Sequence, residues 1–554
     1  MRATTVAAVR KGLRRVFPCR SLCLCNTLAG RGRHCAASTW SSSPKWPISP
    51  TPPIKRRAST AVPGRQDRQW STPLAKQLFE AISTTGPVPL AAYMRMCLTG
   101  DLGGYYTGAI GLGRDQFGVE GDFVTSPEIS QIFGELVGVW FIAEWISQGR
   151  PRQGVQLIEV GPGRGTLMDD MLRHSLPVAL AQRPCAPPLQ TMKRFPAMLD
   201  SLDSVFLVEA SPELRDAQKR LLCGPDAQFT SGHVGTRGHE KHAGKPIVWT
   251  ESIKSIPLEA DKVPFIVAHE FFDALPIHAF QSAPAEPPKS TASRLPEQDR
   301  VASAPANPTS TPQPPRSEWR EMMVSPVNPA AIPAAQARSK ADGCSHEAPD
   351  EFQLILSSKP TRHSRYLPET SPRYRKLKQA PGSVIEICPD ASLYAAEFAR
   401  RIGGSALFQK PTPSGAALIL DYGTSDTIPV NSLRGIRNHK LVSPFSAPGM
   451  VDLSADVDFT AVAEAATRAS DGVEVHGPVS QADFLERMGV RERADVLVRA
   501  ARAKNAPVDA IEKSWKRLVD RGPNGMGKTY KALAILPENN GSRRPAGFGG
   551  DVAR

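Results

Sequence analysis

The sequence predicts an α/β fold in which a mostly parallel sheet carries helices on both faces. Short apolar segments alternate with helical segments from residue 155 onward, and this alternation is typical of parallel strands joined by helices. The first of these strands, VQLIEV at 155–160, is followed directly by a glycine-rich turn and a helix. Open α/β sheets bind ligands at such turns, beyond the carboxyl ends of their strands.

The first 66 residues form a basic leader. They contain 13 Lys or Arg residues and no Asp or Glu, so +13 of the net charge of +14 lies there and +1 on the other 488 residues. Acid-free, Arg- and Ser-rich N-terminal segments are typical of mitochondrial transit peptides, although a disordered basic tail has the same composition. We therefore expect a protein of the mitochondrial matrix, and the nearly neutral remainder argues against nucleic-acid binding. No run approaches the ~18 apolar residues of a membrane span.

Residues 71–150 are expected to form a helical region that includes a glycine-rich cleft loop. PLAKQLFEAISTTGPVPLAAYMRMCL has the apolar spacing of two short amphipathic helices. Further along, Thr125 and Glu128 form a capping-box pattern with Pro127 in the first turn. This pattern predicts a helix that starts here and continues through Trp140.

The core is expected at 151–280 and is completed within 351–449. The helix candidates between its strands are TLMDDMLRHSL at 166–176 and PELRDAQKRLL at 212–222. The strand candidates are VQLIEVG at 155–161, VFLVEA at 205–210, KPIVWTESI at 245–253, PFIVAHEFF at 264–272 and AALILDYG at 416–423.

Residues 281–350 interrupt the core with a Pro-, Ala- and Ser-rich insertion. No aromatic residue lies between Phe280 and Trp319, so we predict that the insertion is largely disordered. WREMMV, FQLILS and SVIEIC predict inserted strands. Residues 450–537 are expected to form C-terminal helices and a last strand, and residues 538–554 a disordered tail.

The segment GPNGMGKT at 522–529 matches the phosphate-binding pattern G-x-x-x-x-G-K-[ST]. A phosphate loop needs a buried strand before it and a helix after it. Here the preceding segment, VDAIEKSWKRLVDR, is helical, and the following segment, YKALAILP, is strand-like. This order is reversed, so we interpret the segment as a tight turn into the last strand and predict no ATP binding.

The glycine turn after the first core strand is the better candidate for a ligand site. LIEVGPGRGTL contains Glu159, Gly161, Gly163 and Gly165 in the pattern E-x-G-x-G-x-G of S-adenosyl-L-methionine enzymes. A nicotinamide enzyme would place its third glycine at Thr166 instead, which disfavours a dehydrogenase. The next strand, VFLVEA, ends in a glutamate that can accept hydrogen bonds from ribose hydroxyls. The alternative is a purely structural strand-to-helix turn.

That second glutamate is Glu209, and Glu159 can face the ammonium group of the methionine moiety. Both assignments place carboxylates where adjacent parallel strands end, at one edge of the sheet.

The segment AHEFFDALP at 268–276 ends another core strand with polar residues. His269, Glu270 and Asp273 surround two phenylalanines. Two carboxylates three residues apart can lie on one side of a turn and bind a cation together. A guanidinium fits best, because it is planar and forked and carries five donors. A helix-capping Asp beside a solvated Glu is the alternative.

The cysteines give no sign of a metal site or a disulfide scaffold. Four of the nine lie in the leader, and the others are scattered without a C-x-x-C pair. This usage suits a reducing compartment, and we predict no metal cofactor. The five cysteines outside the leader are Cys97, Cys185, Cys223, Cys344 and Cys388.

Nine segments, in family order from about residue 75 to 537, make the sequence similar to the MidA-type family. The family's mitochondrial members are protein arginine methyltransferases that act in complex I assembly. The chain differs from the family in its long insertions, and in His269, where bacterial members tend to carry Asn. The segments are GDFVTSPEISQIFGELVGVWF, IEVGPGRGTLMDDML, LVEASPELR, AHEFFDALPIHAFQ, WREMMV, EICPDA, ALILDYG, RGIRNHKLVSPFSAPGMVDLSADVDF and MGKTYKALAILP.

The resemblance implies a class I S-adenosyl-L-methionine-dependent methyltransferase fold. This fold is Rossmann-like, with a mostly parallel sheet, an antiparallel last strand, additional N- and C-terminal helices and, here, disordered insertions. The resemblance also implies symmetric (type II) dimethylation of an arginine in a complex I core subunit near the quinone site. A catalytically silent assembly chaperone on the same fold is the alternative.

On this interpretation the catalytic residues are Glu270 and Asp273. The cofactor-binding residues are Glu159, Gly161, Gly163, Gly165, Glu209, Ser126 and Pro127. The substrate cleft is lined by Gly121, Asp122, Phe123, Thr125, Glu128, His269, Asp421, Tyr422 and Gly423.

Overall fold

Three sheets organise the chain in a computed structural model that describes residues 69–108, 121–173, 195–285, 317–328 and 350–549. The predicted transit peptide at 1–66 lies outside these residues. The strands are β1 Val88–Pro89, β2 Val155–Val160, β3 Leu202–Val208, β4 Thr230–Ser231, β5 Thr236–His239, β6 Pro246–Thr250, β7 Val263–His269, β8 His278–Pro284, β9 Ser317–Pro326, β10 Phe352–Leu356, β11 Val384–Ile387, β12 Ala416–Thr424, β13 Arg434–Arg437, β14 Lys440–Val442, β15 Asp452–Ser454, β16 Val457–Asp458, β17 Val473–Ser480 and β18 Tyr530–Pro537.

Helices surround these sheets. None of the described helices is both long and apolar enough to cross a membrane. The helices are α1 Pro73–Thr85, α2 Leu90–Thr99, α3 Tyr105–Gly108, α4 Ser126–Ile129, α5 Gln131–Ser147, α6 Thr166–Leu172, α7 Pro196–Ser201, α8 Pro212–Cys223, α9 Arg362–Tyr366, α10 Pro372–Leu377, α11 Pro389–Gly403, α12 Phe459–Ala469, α13 Gln481–Arg487, α14 Val490–Ala503 and α15 Asp509–Val519.

The central sheet has the order β17-β18-β12-β7-β2-β3-β6-β5-β4. Strands β6, β3, β2, β7 and β12 are parallel, and β18 is antiparallel to both of its neighbours. The predicted parallel sheet with an antiparallel last strand is therefore confirmed. Strand β17 was not predicted, and it adds one more strand beyond β18.

The central strands are mostly apolar because both faces of the sheet are covered. In β2, Leu157 packs into a core cluster on one face, and its neighbour Ile158 packs into the cluster on the other. Strand β12 alternates in the same way, with Leu418 on the first face and Ile419 on the second. This period of two follows from strand geometry.

The predicted helix starting near residue 125 is two helices. The capping box between Thr125 and Glu128 is present, but α4 ends after one turn. Ser130 is extended, with φ −154° and ψ 127°, and its side chain accepts a hydrogen bond from the Ile132 backbone as the N-cap of α5. The prediction of one continuous helix is wrong, because a serine can cap a helix and therefore also restart one.

The predicted disordered insertion is bounded by paired strands. Strand β8 extends to Pro284, and the first half of β9, residues 317–321, pairs with it. Residues 281–284 and 317–326 thus belong to strands, which corrects the predicted limits. The remainder of the predicted insertion, 286–316 and 329–349, lies outside the described residues.

Residues 538–549 pack on the core, so the predicted disordered tail is wrong for this part. Trp140 donates its indole N–H to the Ala546 carbonyl at 3.1 Å. The ring of Phe548 lies 5.6 Å from that of Phe484 and 6.3 Å from that of Trp140. Phe548 is only 8% exposed, so one apolar side chain anchors the segment.

We expect Phe548→Ala to lower the free energy of unfolding by about 3 kcal/mol, the lower end of the range for buried Phe→Ala changes. Urea denaturation measures this change. Phe195→Ala is the matched control, because Phe195 is 39% exposed and should change stability little. Equal losses for the two variants would contradict the anchoring role.

Candidate active site

The polar residues predicted from the sequence meet at the carboxyl edge of the central sheet. Glu159 of β2 is in register with Leu207 of β3 and with Val267 of β7. His269, at the end of β7, is in register with Leu420 of β12. The four strands therefore end together, and the turns that follow them lie at the edge where open α/β sheets bind ligands.

The glycine turn after β2 has the backbone conformation that its sequence requires. Gly161, Gly163 and Gly165 have φ values of 68°, 53° and 84°, in the left-handed region that glycine adopts without strain. A Cβ on Gly161 would lie 2.5 Å from the Phe271 ring. Gly161 thus makes room for the Phe271 side chain, which belongs to the turn after β7. This packing role adds to the role in ligand binding that the sequence predicts for these glycines.

Glu159 is a buried carboxylate with a free oxygen. Its side chain is 2% exposed, and Oε2 has no hydrogen-bond partner in the structure. Burial raises the pKa of Glu159 well above its ordinary value, and the charge of Glu209 raises it further. An unpaired buried acceptor is unfavourable, and an ammonium or hydroxyl donor would relieve it. This oxygen fits the cationic end of S-adenosyl-L-methionine.

Gln218 of α8, which sequence reasoning missed, links the glycine turn to Glu209. Its amide nitrogen donates to the Gly163 carbonyl at 2.6 Å and to Glu209 Oε2 at 3.4 Å. Its amide oxygen accepts from the Trp249 indole at 3.0 Å. Gln218 is fully buried on an otherwise apolar stripe with Leu214 and Leu222. A polar residue at that helical position was the signal that could have revealed it.

Glu209 is also buried, and it is held by its own turn. Oε1 accepts from the Ser211 backbone N–H at 2.9 Å. Burial raises the pKa of Glu209 to about 7, while the hydrogen bonds from Ser211 and Gln218 oppose the shift. Each oxygen keeps a lone pair, so the carboxylate can still accept from ligand hydroxyls.

The acidic turn after β7 is held by one side chain, Asp421. Its Oδ2 accepts backbone N–H bonds from Phe271, Phe272 and Asp273 at 3.1, 2.8 and 3.3 Å. Its Oδ1 accepts from the Tyr422 backbone at 2.8 Å. Burial raises the pKa of Asp421, and the backbone donors oppose that shift. Asp421 is fully buried, so it anchors the turn and does not line the cleft as predicted.

Asp273 is buried in this turn and keeps one carboxylate oxygen unpaired. Its Oδ1 has no hydrogen-bond partner. Burial raises the pKa of Asp273 to about 6, the Tyr422 hydroxyl lowers it through a hydrogen bond, and Glu270 raises it by charge. Glu270 has a left-handed backbone with φ 48° and donates its N–H to the Leu420 carbonyl at 2.9 Å. The two predicted catalytic carboxylates therefore lie close enough to interact.

The 434–452 region adds charged residues that the sequence analysis did not assign. The Arg434 guanidinium lies 4.4 Å from the centre of the Tyr422 ring and pairs with Asp456 at 2.8 Å. The Tyr106 hydroxyl donates to Asp452 at 3.0 Å. Burial raises the pKa of Asp452 to about 7, and the charge of Asp273 adds to this. Asp452 and Asp456 thus add negative charge beside the carboxylates of the turn after β7, and the positive charge of Arg434 partly offsets it.

Residues of the predicted N-terminal loop contact both turns. The Ser126 backbone N–H points to Glu270 Oε1 at 3.4 Å. Glu128 pairs with Arg164 of the glycine turn at 3.4 Å. Pro127 is buried beside Ser126 in α4. This segment thus contacts both the acidic turn and the glycine turn.

Other predicted cleft residues have structural roles. Asp122 is fully buried, and it accepts hydrogen bonds from the Tyr105 hydroxyl at 2.8 Å and the Asn438 backbone at 2.7 Å. It therefore joins the N-terminal region to the β13–β14 hairpin and does not line the cleft. Gly423 pairs with Val457 of β16, so it lies within a sheet rather than at the surface of the cleft.

The remaining predicted cleft residues, His269, Gly121, Thr125 and Phe123, are buried or half-buried. His269 is 7% exposed, and its Nε2 lies 3.2 Å from Glu270 Oε1 without the alignment of a hydrogen bond. Gly121 is buried, and Thr125 is half-buried as the N-cap of α4. Phe123 packs against the N-terminal apolar cluster.

The GPNGMGKT segment has the predicted helix–loop–strand order. It lies between α15, Asp509–Val519, and β18, Tyr530–Pro537. Its backbone N–H groups bond back to the preceding helix, Met526 to the Arg517 carbonyl at 3.1 Å and Gly527 to the Asp520 carbonyl at 2.8 Å. Amides already used in this way cannot surround a phosphate.

Comparison with known proteins bears on the fold and the cofactor. A family model described as "Putative S-adenosyl-L-methionine-dependent methyltransferase" matches residues 136–479. A structure of a COG1565 superfamily member from Burkholderia thailandensis, bound to S-adenosyl-homocysteine, superposes with a TM-score of 0.54 at 20% identity, covering 89% of this chain and 96% of that one.

Curated relatives extend over most of the chain. Protein arginine methyltransferase NDUFAF7, mitochondrial, from Xenopus laevis is 32% identical over 88% of this chain and 90% of its own length. The Homo sapiens protein of that name is 31% identical over 84% of each chain. The Drosophila melanogaster homolog is 32% identical over 84% of this chain and 85% of its own. The predicted methyltransferase fold, S-adenosyl-L-methionine as cofactor and mitochondrial location are confirmed.

We expect Gly163→Val to abolish binding of S-adenosyl-L-methionine, because a β-branched residue at φ 53° is strained in the turn that should hold the cofactor. Lys528→Ala is the control, since Lys528 is exposed in the GPNGMGKT loop. Calorimetric titration with S-adenosyl-homocysteine, the demethylated form of the cofactor, measures cofactor-site binding in each variant. A Lys528 variant that lost binding, or a folded Gly163 variant that kept it, would overturn the assignment.

Proposed function

The chain belongs to the family of S-adenosyl-L-methionine-dependent methyltransferases whose family model matches residues 136–479. From this premise we propose that it is a protein arginine N-methyltransferase of the mitochondrial matrix. One observation carries the acceptor assignment: the acidic turn presents Glu270 and Asp273 together, with Asp273 Oδ1 unpaired. Relatives that are named protein arginine methyltransferases support the same chemistry.

The cofactor would be held by the glycine turn and by two glutamates. Glu159 Oε2 would accept from its ammonium group, and Glu209 from its ribose hydroxyls. Gln218 would keep the turn and Glu209 in fixed relative positions through its bonds to both. The bound cofactor supplies a sulfonium methyl group, which passes to a guanidino nitrogen and leaves S-adenosyl-L-homocysteine.

The acidic turn would hold and deprotonate the acceptor. Glu270 and Asp273 would each accept N–H bonds from the substrate guanidinium and aim one nitrogen at the methyl group. That nitrogen loses a proton when it is methylated, and Asp273 would accept the proton through Oδ1, which has no hydrogen-bond partner in the structure. With a pKa of about 6, Asp273 is ionised at neutral pH and can act as the base.

The finer parts of the proposal rest on the family resemblance. We propose symmetric dimethylation, that is type II activity, on an arginine of a complex I core subunit near the quinone site, and a requirement for complex I assembly. Two transfers on one arginine require the monomethylated product to bind again in the same carboxylate pair. A single methyl group leaves the guanidinium charged and keeps N–H donors for this purpose.

A second candidate, an assembly chaperone that transfers no methyl group, is favoured by one feature. Arg434 lies over Tyr422 and close to Asp273, so a guanidinium of the protein itself already interacts with that carboxylate. If Arg434 occupies the acceptor position permanently, no substrate arginine can enter. The following experiment separates the two candidates.

We expect Glu270→Gln to bind S-adenosyl-L-methionine normally and to transfer methyl groups at least about tenfold more slowly. The change keeps the shape but removes a charge-assisted hydrogen bond worth roughly 1.5–3 kcal/mol, or one to two decades of rate. The assay incubates the full chain with methyl-labelled cofactor and mitochondrial extract, and identifies the labelled protein and the labelled arginine product.

Glu80→Gln is the matched control, because Glu80 is exposed on α1, in an element that supplies none of the proposed site residues. Parental rates in Glu270→Gln would reject the carboxylate pair. A parent chain that labels no protein while binding the cofactor would favour the chaperone.

We also expect kcat/KM to fall as pH decreases through about 6. Burial raises the Asp273 pKa to about that value, so the carboxylate that accepts the proton is lost below it. At pH 5, about one-tenth of Asp273 is ionised, which predicts a rate about tenfold below the plateau. Asp273→Asn should be slow throughout and lack this decrease. A flat parental profile between pH 5 and 8 would exclude Asp273 as the base.

A further inference from the structure

Two histidines and a glutamate meet at the sheet that contains β8 and β9, which is separate from the central sheet. His278 lies at the start of β8, Glu321 lies within β9, and His363 lies in α9. Nδ1 of His278 is 2.8 Å from Glu321 Oε1, and Nδ1 of His363 is 3.2 Å from the same oxygen. Their candidate ligand atoms all lie within 4.8 Å of one another.

We propose that this cluster binds one divalent transition-metal ion, with zinc as the ion that best fits the ligands. Neutral imidazole nitrogen and carboxylate oxygen are both common zinc ligands. Two histidines and one carboxylate also leave a coordination position for water. Calcium and magnesium are disfavoured, because they prefer sets of oxygen ligands.

The distances between the ligand atoms match a coordination shell. Zinc lies about 2.0–2.2 Å from nitrogen and oxygen ligands, so neighbouring ligands in a tetrahedral or octahedral shell are about 2.8–3.6 Å apart. The separations of 2.8 and 3.2 Å from Glu321 Oε1 are close to this range. A small outward shift of the side chains would admit the ion between them.

The surroundings orient the ligands as the outer groups of metal sites do. The Thr361 hydroxyl donates to Glu321 Oε2, the oxygen that faces away from the histidines. The His278 ring is stacked on Phe280, with 8° between the ring planes. The Glu321 side chain is 1% exposed and that of His363 is 44%, so the carboxylate is buried while one side stays open to solvent.

The ion would join segments that are distant in sequence. Strand β8 starts five residues after Asp273, and α9 lies on the other side of residues 329–349 from β9. A bound metal would therefore fix the strand that follows the acidic turn to both β9 and α9. Because it binds only the folded chain, it should also stabilise that chain.

The test uses the full chain, stripped with a chelator and titrated with Zn²⁺ alone. We expect one equivalent to bind in the parent and to be lost, or weakened at least about tenfold, in His363→Ala and His278→Gln. His233→Ala is the matched control, because His233 is exposed and lies outside the cluster. Saturating Zn²⁺ should raise the Tm of the parent and of the control by at least about 2 °C, and that of the cluster variants less.

Cobalt substitution identifies the ligands. Co²⁺ at a site of two histidines and a carboxylate should give visible absorption without thiolate charge-transfer bands, and His363→Ala should remove it. His363 is well exposed, so this variant remains informative if His278→Gln fails to fold. The leader cysteines are the same in every variant, and binding there would show thiolate bands. Equal zinc content in the parent and His363→Ala would overturn the proposal. It would mean that the three residues only form hydrogen bonds with one another.

Discussion

The proposed active site depends on the buried side chain of Asp421. One carboxylate accepts four backbone N–H bonds, three of them from the turn that carries Glu270 and Asp273. These bonds hold the turn in a conformation that includes the left-handed Glu270. Without the carboxylate, three amides of a largely buried turn would lose their acceptor, each at a cost of about 1–3 kcal/mol. Asp421 thus positions Glu270 and Asp273, the residues proposed to bind the substrate arginine, without facing that arginine itself.

A second constraint joins the acidic turn to the cofactor turn. Phe271 occupies the space that a side chain on Gly161 would need, so the two turns can approach each other only with glycine there. On the other side, Gln218 bonds to both Gly163 and Glu209. Because these contacts fix the turns relative to each other, donor and acceptor would meet at a distance set by packing rather than by either ligand.

The sequence predicted the parts of the fold that depend on local pattern. The strands of the core and the capping box at Thr125 follow from periodicity and turn chemistry. The antiparallel direction of the last strand was implied by the family resemblance alone. The same reasoning missed α11, Pro389–Gly403, although Pro389 and Asp390 are start signals for a helix. It also placed Asp122 and Asp421 in the cleft, because sequence position does not reveal whether a carboxylate faces a ligand or the backbone.

The cysteine-based prediction of no metal did not consider the cluster of His278, Glu321 and His363, since its members lie on three elements up to 85 positions apart. Long-range proximity of this kind also explains why Gln218 and Arg434 were missed.

The carboxyl groups of the cleft favour cationic ligands, and the binding of such ligands is coupled to the loss of protons from these groups. Burial raises the pKa of Glu159, Glu209, Asp273 and Asp452, and like-charged neighbours raise several of them further. Carboxyl groups in this state are costly to ionise alone, and a cation that pairs with them lowers that cost. A sulfonium cofactor with an ammonium group and a guanidinium acceptor are both such cations. Binding of each cation would therefore be coupled to the release of protons from the cleft carboxyl groups. The chain outside the leader is nearly neutral overall, but the carboxylates at this site can still select positively charged ligands.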